Sequence, residues 1–218
     1  MEGLQAPNFI ALFALTLVAG MLPFLIVGVT SFAKIAVVLF IVRNALAIQQ
    51  APPNILLYGI ALILTGYIMA PALTQVYTVV SDPQAKYQNF EDWQKIAGEA
   101  SRPIRDFMTR NTVERDRQFF VQTSEKIWKD STVPIPQSTD FVVLVPAFLS
   151  SELTKAFEIG FLLYLPFVMI DFAISAILVA LGMQMMSPTV ISTPLKLLLF
   201  VLVEGWLRLM QGLILSYV

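Results

Sequence analysis

SELTKAFEIGFLLYLPFVMIDFAISAILVALGMQMMSP (151–188) opens with three charges, Glu152, Lys155 and Glu158, and then holds only one more, Asp171. From Ile159 to Leu181 the run is apolar and long enough for the roughly 20 residues that a bilayer-spanning helix needs. Gly182-Met183-Gln184-Met185-Met186-Ser187-Pro188 reads as a turn, where the chain reverses into a second apolar run. The same pattern extends outward. Gly3 to Ala33, Asn44 to Ser81 and Phe172 to Leu195 are free of charge, whereas residues 82–140 hold 19 charges, 10 acidic and 9 basic. The chain is therefore two apolar segments (1–81), a polar helical insert (82–140) and two more apolar segments (141–218).

The whole composition agrees with this plan. The 218 residues are 57% hydrophobic and only 13% charged, with a mean hydropathy of +0.74, which is far from the balance of a soluble domain. A net charge of −1 gives no basic excess and excludes nucleic acid as a partner of choice. Histidine and cysteine are absent, which removes disulfides, zinc and haem ligation and the usual general base. No GxGxxG, P-loop, GxSxG or HExxH pattern occurs. Asp171 has no second carboxylate in the apolar runs to form an aspartyl dyad, and Ser187 and Ser192 have no histidine to activate them. The sequence points to a protein without catalysis, cofactor or metal.

An all-α fold of kinked helical hairpins is the expectation. Helices are predicted over Phe9 to Leu22, with Pro23 as a kink, and over Ile26 to Ile48. Gln49–Asn54, with tandem prolines, is a break, and Ile55 to Met69 is a helix closing near Pro71. Phe90–Ala100 and Val113–Lys129 are the helices of the insert, and 131–140 is a linker. Phe141–Leu149 leads into the charged triplet and the apolar run, with breaks at Pro166 and Asp171, and the last helix starts at Leu195. The octapeptide MEGLQAPN has an acid and no base, which argues against a cleaved leader. Arg43 and Lys34 near the first turn place it in the cytoplasm and the insert on the extracytoplasmic side.

Ten charges lie outside the insert, and those at membrane depth must find partners or water. Glu152, Lys155 and Glu158, spaced by three, are predicted along one helical edge. Glu204 precedes Arg208 by four, the favourable order for a helical ion pair. Asp171 and Lys196 lack local partners and are predicted to pair across helices or across subunits. Three roles are open: packing and assembly, snorkelling to the headgroup boundary, or an ion relay; the isolation of Asp171 favours the first. Met183, Met185 and Met186 form a soft, deformable cluster. On composition alone they fill a hairpin tip or dip into lipid, though a ring of such turns could close a pore.

SFAKIAVVLFIVRNALAIQQAPPN (31–54), YGIALILTGYIMAPAL (58–73) and the block from Leu144 to Trp206 together resemble the FliP/SctR family, core export-apparatus proteins of type III secretion systems. The resemblance covers both flanks of the insert. It implies a homopentamer joined by SctS-type and SctT-type subunits into a cone-shaped export gate at the bacterial inner membrane, projecting toward the periplasm within the secretion base. Unfolded secreted proteins pass through its centre. It implies that Met183, Gln184, Met185 and Met186 form the pore gasket, reversing the reading from composition. It also implies that Glu152, Asp171 and Lys196 bridge neighbouring subunits, with Lys155, Glu158, Glu204 and Arg208 as companions. Gln184 departs from the unbroken methionine run common in the family. The lack of a leader, with MSPTVISTP, favours the injectisome form. The competing readings are a multi-pass small-solute channel or transporter in lipid and a membrane scaffold without a lumen.

Overall fold

The computed structural model describes residues 9–48, 51–82, 90–129, 132–183 and 185–218. Among these residues the chain is entirely helical outside its turns. Eight helices follow in order: α1 (Phe9–Val29), α2 (Phe32–Ala45), α3 (Asn54–Val80), α4 (Phe90–Asn111), α5 (Glu114–Ile127), α6 (Phe141–Ala180), α7 (Pro188–Leu202) and α8 (Gly205–Leu215). α3 and α6 are each long and apolar enough to cross a membrane; the bent pairs α1–α2 and α7–α8 bring the number to four if each pair is one span.

The tandem prolines at 52–53 and Pro188 mark breaks as expected, where α3 and α7 begin, but the other expected proline breaks are absent. α1 runs through Pro23, α3 through Pro71, α4 through Pro103, and α6 through both Pro146 and Pro166 for 40 residues. Each ring removes one backbone donor, but the helical turns on either side persist. The sharp bends lie elsewhere. α1 meets α2 at 72°, where the Thr30 hydroxyl bonds the carbonyl of Ile26 and accepts from the amide of Phe32 at 3.3 Å. That side chain replaces helical backbone bonds and ends the helix. α7 meets α8 at 62°, where Glu204 adopts a left-handed backbone with φ 53°. The last helix thus begins at Pro188 rather than Leu195 and is broken at Glu204.

α2 is the centre of the molecule. Ala33, Ile35, Ala36, Val38, Leu39, Val42 and Ala45 are all buried, which covers nearly every face, as expected of a helix enclosed by others. It packs on α6 and α3, and Leu209 and Leu213 of α8 close the same core. Close approach of α6 depends on Gly160. A Cβ there would stand 3.1 Å from Ile41 Cγ2 and nearer still to its Cδ1.

The insert's helices carry charges that complement their dipoles, with Glu91 and Asp92 opening α4, Arg110 closing it, and Glu114 and Asp116 opening α5. α4 continues past Ala100 to Asn111 and packs its Phe107 and Met108 with Met69 of α3 and Leu144 and Phe148 of α6 in a second apolar cluster. The Phe107 ring meets Phe148 edge-on at 5.9 Å and stacks on Tyr217 at 5.8 Å.

Candidate functional site

Three groups of side chains stand out, two of charge and one of methionine. The first charge group lies at the heart of the fold. Glu152 of α6 and Lys34 of α2 are 0% and 1% exposed, with Lys34 Nζ 3.5 Å from Glu152 Oε2. The Tyr217 hydroxyl donates to the same carboxylate oxygen, and Lys34 Nζ sits 3.4 Å above the centre of the Tyr217 ring. Lys155 Nζ approaches Glu152 Oε1 at 3.7 Å and donates to the Asn111 carbonyl at 2.5 Å. One turn earlier, Ser151 Oγ accepts from the Val113 amide at 3.1 Å and donates to Asp116 Oδ2 at 2.6 Å. Charge-assisted bonds of this kind are roughly twice as strong as neutral ones. α2, α6, the α4–α5 turn and the C-terminal residues are thus tied through one carboxylate.

The second group joins α6 to α7. Lys196 Nζ donates to Asp171 Oδ2 at 2.6 Å and to the Ala45 carbonyl at 3.1 Å. Ala45 closes α2, so the lysine satisfies a carbonyl that the helix leaves open at its negative end. Asp171 and Lys196 therefore pair with each other across helices of one chain.

One spacing argument holds in part and the other fails. Glu152 and Lys155 meet, Nζ to Oε1 at 3.7 Å, but Glu158 is carried round to an exposed position. Successive steps of three residues turn the helix backward by about 60° each, so Glu158 lies about 120° round from Glu152. Glu204 and Arg208 form no ion pair among the described residues, and both are exposed. The left-handed backbone at Glu204 takes its side chain off the α8 face, so only the Arg208 amide returns to the Glu204 carbonyl, at 3.1 Å.

The methionines cap the α6–α7 hairpin. Gly182, with φ +74°, ends α6 in a paired turn: its amide bonds the Val179 carbonyl at 3.0 Å, and the Met183 amide bonds the Leu178 carbonyl at 2.9 Å. This is the glycine-closed C-terminus in which a left-handed residue satisfies the last carbonyls. Met183 and Met186 are exposed, and Met185 is completely so at 103%. Gln184 lies outside the described residues.

Lys34 and Tyr217 were not singled out as site residues by the sequence. The signal for Lys34 was its position alone in an apolar helix, but its burial removes it as a headgroup-facing charge and with it half of the orientation argument. Arg43 instead holds the α2–α3 turn, donating to the Pro52 carbonyl at 3.4 Å and to Asn54 Oδ1.

The sequence matches the family model described as the FliP family over residues 14–213. It is 49% identical over 211 residues to a "Probable translocation protein y4yL" of Sinorhizobium fredii, covering 97% of this chain and 95% of that one. It is 44% identical to the "Yop proteins translocation protein R" of Yersinia pestis, over 98% of this chain and 99% of the other. The "Surface presentation of antigens protein SpaP" of Salmonella typhimurium is 39% identical, over 96% and 97%.

Proposed function

This chain belongs to the FliP family, the SctR-type export-apparatus proteins of type III secretion, and from that premise we propose that it is the pore-forming subunit of the export gate. Unfolded secreted proteins cross the bacterial inner membrane through a central channel that a ring of methionine loops seals. The subunit acts as a homo-oligomer, a pentamer, with SctS-type and SctT-type neighbours, and the complex projects toward the periplasm within the secretion base.

The observation that carries this reading is the methionine tip. Three thioether side chains stand exposed on a hairpin end that is braced from beneath by the Gly182 turn. A chain that merely packed its methionines would bury them. Thioethers are apolar enough to exclude water and ions and flexible enough to part around side chains of any shape.

The charges divide into two classes in this mechanism. Glu152 and Lys196, being buried and paired inside the chain, support assembly by fixing the shape of each subunit. Glu158 is exposed and the Asp171 side chain is 36% exposed, so these acids can reach the next subunit. The exposed apolar faces of α3 and α6 fit contacts with neighbours and with lipid.

The test is electrical. Met185→Ala/Met186→Ala gates, assembled with their partners in planar bilayers, are expected to leak ions at rest while protein export continues. Resting conductance equal to wild type in that variant would overturn the gasket.

A further inference from the structure

The chain has nine methionines and no cysteine, so thioethers are its only sulfur. Their surroundings differ sharply. Met69 and Met108 are 2% and 0% exposed, closed into the apolar cluster between α3, α4 and α6. Met21 and Met169 are exposed, but they stand on the apolar faces of α1 and α6, which lipid or neighbouring copies cover in the assembly proposed above. Met183, Met185 and Met186 stand together at the α6–α7 tip, and Met185 is the most exposed methionine among the described residues. Backbone bonds brace that tip, the Met183 amide on the Leu178 carbonyl at 2.9 Å and the Met186 amide on the Met183 carbonyl at 3.2 Å. A ring of such tips closing a pore has water on both of its sides, so packing tip against tip leaves the thioethers within reach of a small oxidant.

We propose that Met183, Met185 and Met186 are an oxidation site, and that a peroxide converting them to sulfoxides loosens the seal. The sulfur lone pair attacks one peroxide oxygen, an S–O bond forms, the O–O bond breaks, and the second oxygen leaves as water. The thioether loses two electrons and the peroxide gains them. A thioether is apolar and sheds water, whereas the sulfoxide oxygen accepts hydrogen bonds from it, so the change acts on the property that closes the pore. Three sites within four residues concentrate the effect, and every copy in a ring repeats it at the same constriction. The change is reversible. Methionine sulfoxide reductases, one for each sulfoxide epimer, remove the oxygen as water while two thiols become a disulfide. The chemistry of the site rests on exposure alone; its effect on conductance rests on the methionine seal proposed above.

The test treats the gate, assembled with its partners, with dilute hydrogen peroxide. Peptide mass spectrometry should find one added oxygen on Met185 roughly tenfold sooner than on Met69 or Met108, with Met183 and Met186 between them. In planar bilayers the same treatment should raise resting conductance severalfold, and the two reductases with a dithiol should restore it. Met21→Leu/Met169→Leu keeps the tip and should respond to peroxide as wild type does. Met185→Leu, read as the ratio of conductance after peroxide to conductance before it, should respond less. Oxidation of Met69 or Met108 as fast as Met185 would overturn the site. Conductance unmoved while Met185 is oxidised would overturn its effect on the gate, as would a rise that Met21→Leu/Met169→Leu abolishes. The seal is judged separately by the Met185→Ala/Met186→Ala gate: a leak in that variant, with none after peroxide, leaves the seal standing and removes the oxidation effect.

Discussion

Replacing Lys34 by methionine keeps most of the side-chain volume and removes a cation from a carboxylate that is fully buried. Breaking a buried ion pair from one side costs about 3–5 kcal/mol, because the remaining charge stays desolvated. Glu152 keeps two partners after the change, the Tyr217 hydroxyl and the more distant Lys155 at 3.7 Å. These place the effect at the low end, about 3 kcal/mol. For a chain of this length that corresponds to a fall in Tm of about 6–12 °C. Glu152→Gln strands Lys34 in the same way and should cost a similar amount. The double variant Lys34→Met/Glu152→Gln leaves neither member of the pair charged, and the glutamine carbonyl still accepts from Tyr217. It should therefore recover to within about 1 kcal/mol of wild type, since neutral replacements of buried pairs are tolerated. Thermal unfolding of the purified chain in detergent, followed by tryptophan fluorescence, closes the double-mutant cycle. Two additive losses, or a Lys34→Met protein as stable as wild type, would refute the argument that this pair organises the core.

Other substitutions read single contacts. Ser151→Ala strands the Val113 amide and removes a donor to Asp116, so hydrogen exchange should speed up locally around the α4–α5 turn by about tenfold, equivalent to about 1–2 kcal/mol. Gly160→Val drives a Cβ against Ile41 and should destabilise by about 1–3 kcal/mol, with Ile41→Ala as the second-site rescue; the melting temperature reports both. Glu204→Gly relieves a left-handed backbone at a residue with a Cβ, and is expected to raise stability by about 1 kcal/mol in the same melt.

The apolar segments, the helical insert and the methionine turn could be read from the sequence, because charge clustering and a glycine at a helix end are local signals. Gly182 followed by a methionine cluster and Ser187-Pro188 announces a reversal, and the chain reverses there. The bends could not be read, since proline suggested Pro166 and Pro71 while the chain bends at Thr30 and Glu204. A proline removes one backbone hydrogen bond, which the remaining turns of a long helix outlast, whereas a threonine hydroxyl that replaces backbone bonds leaves no composition signature. The partners of the lone charges were equally hidden. Lys34, Glu152 and Tyr217 are far apart in the chain, and only the packing of α2 against α6 brings them together.

The two halves of α6 lie in different surroundings. α6 is 40 residues long, a contour of about 60 Å, twice the roughly 30 Å of a bilayer's hydrocarbon core. Its first half is enclosed by the insert and α2, where Val143, Leu144, Ala147, Phe148, Ser151 and Glu152 are buried. Its most apolar window is only 11% buried within the chain. The two halves do different work: one anchors α6 to the subunit through the Glu152 cluster, and the other projects a bare apolar face that ends in the exposed methionines. In the gate proposed above, copies of the same chain packed side by side cover that face and bring the methionine tips together.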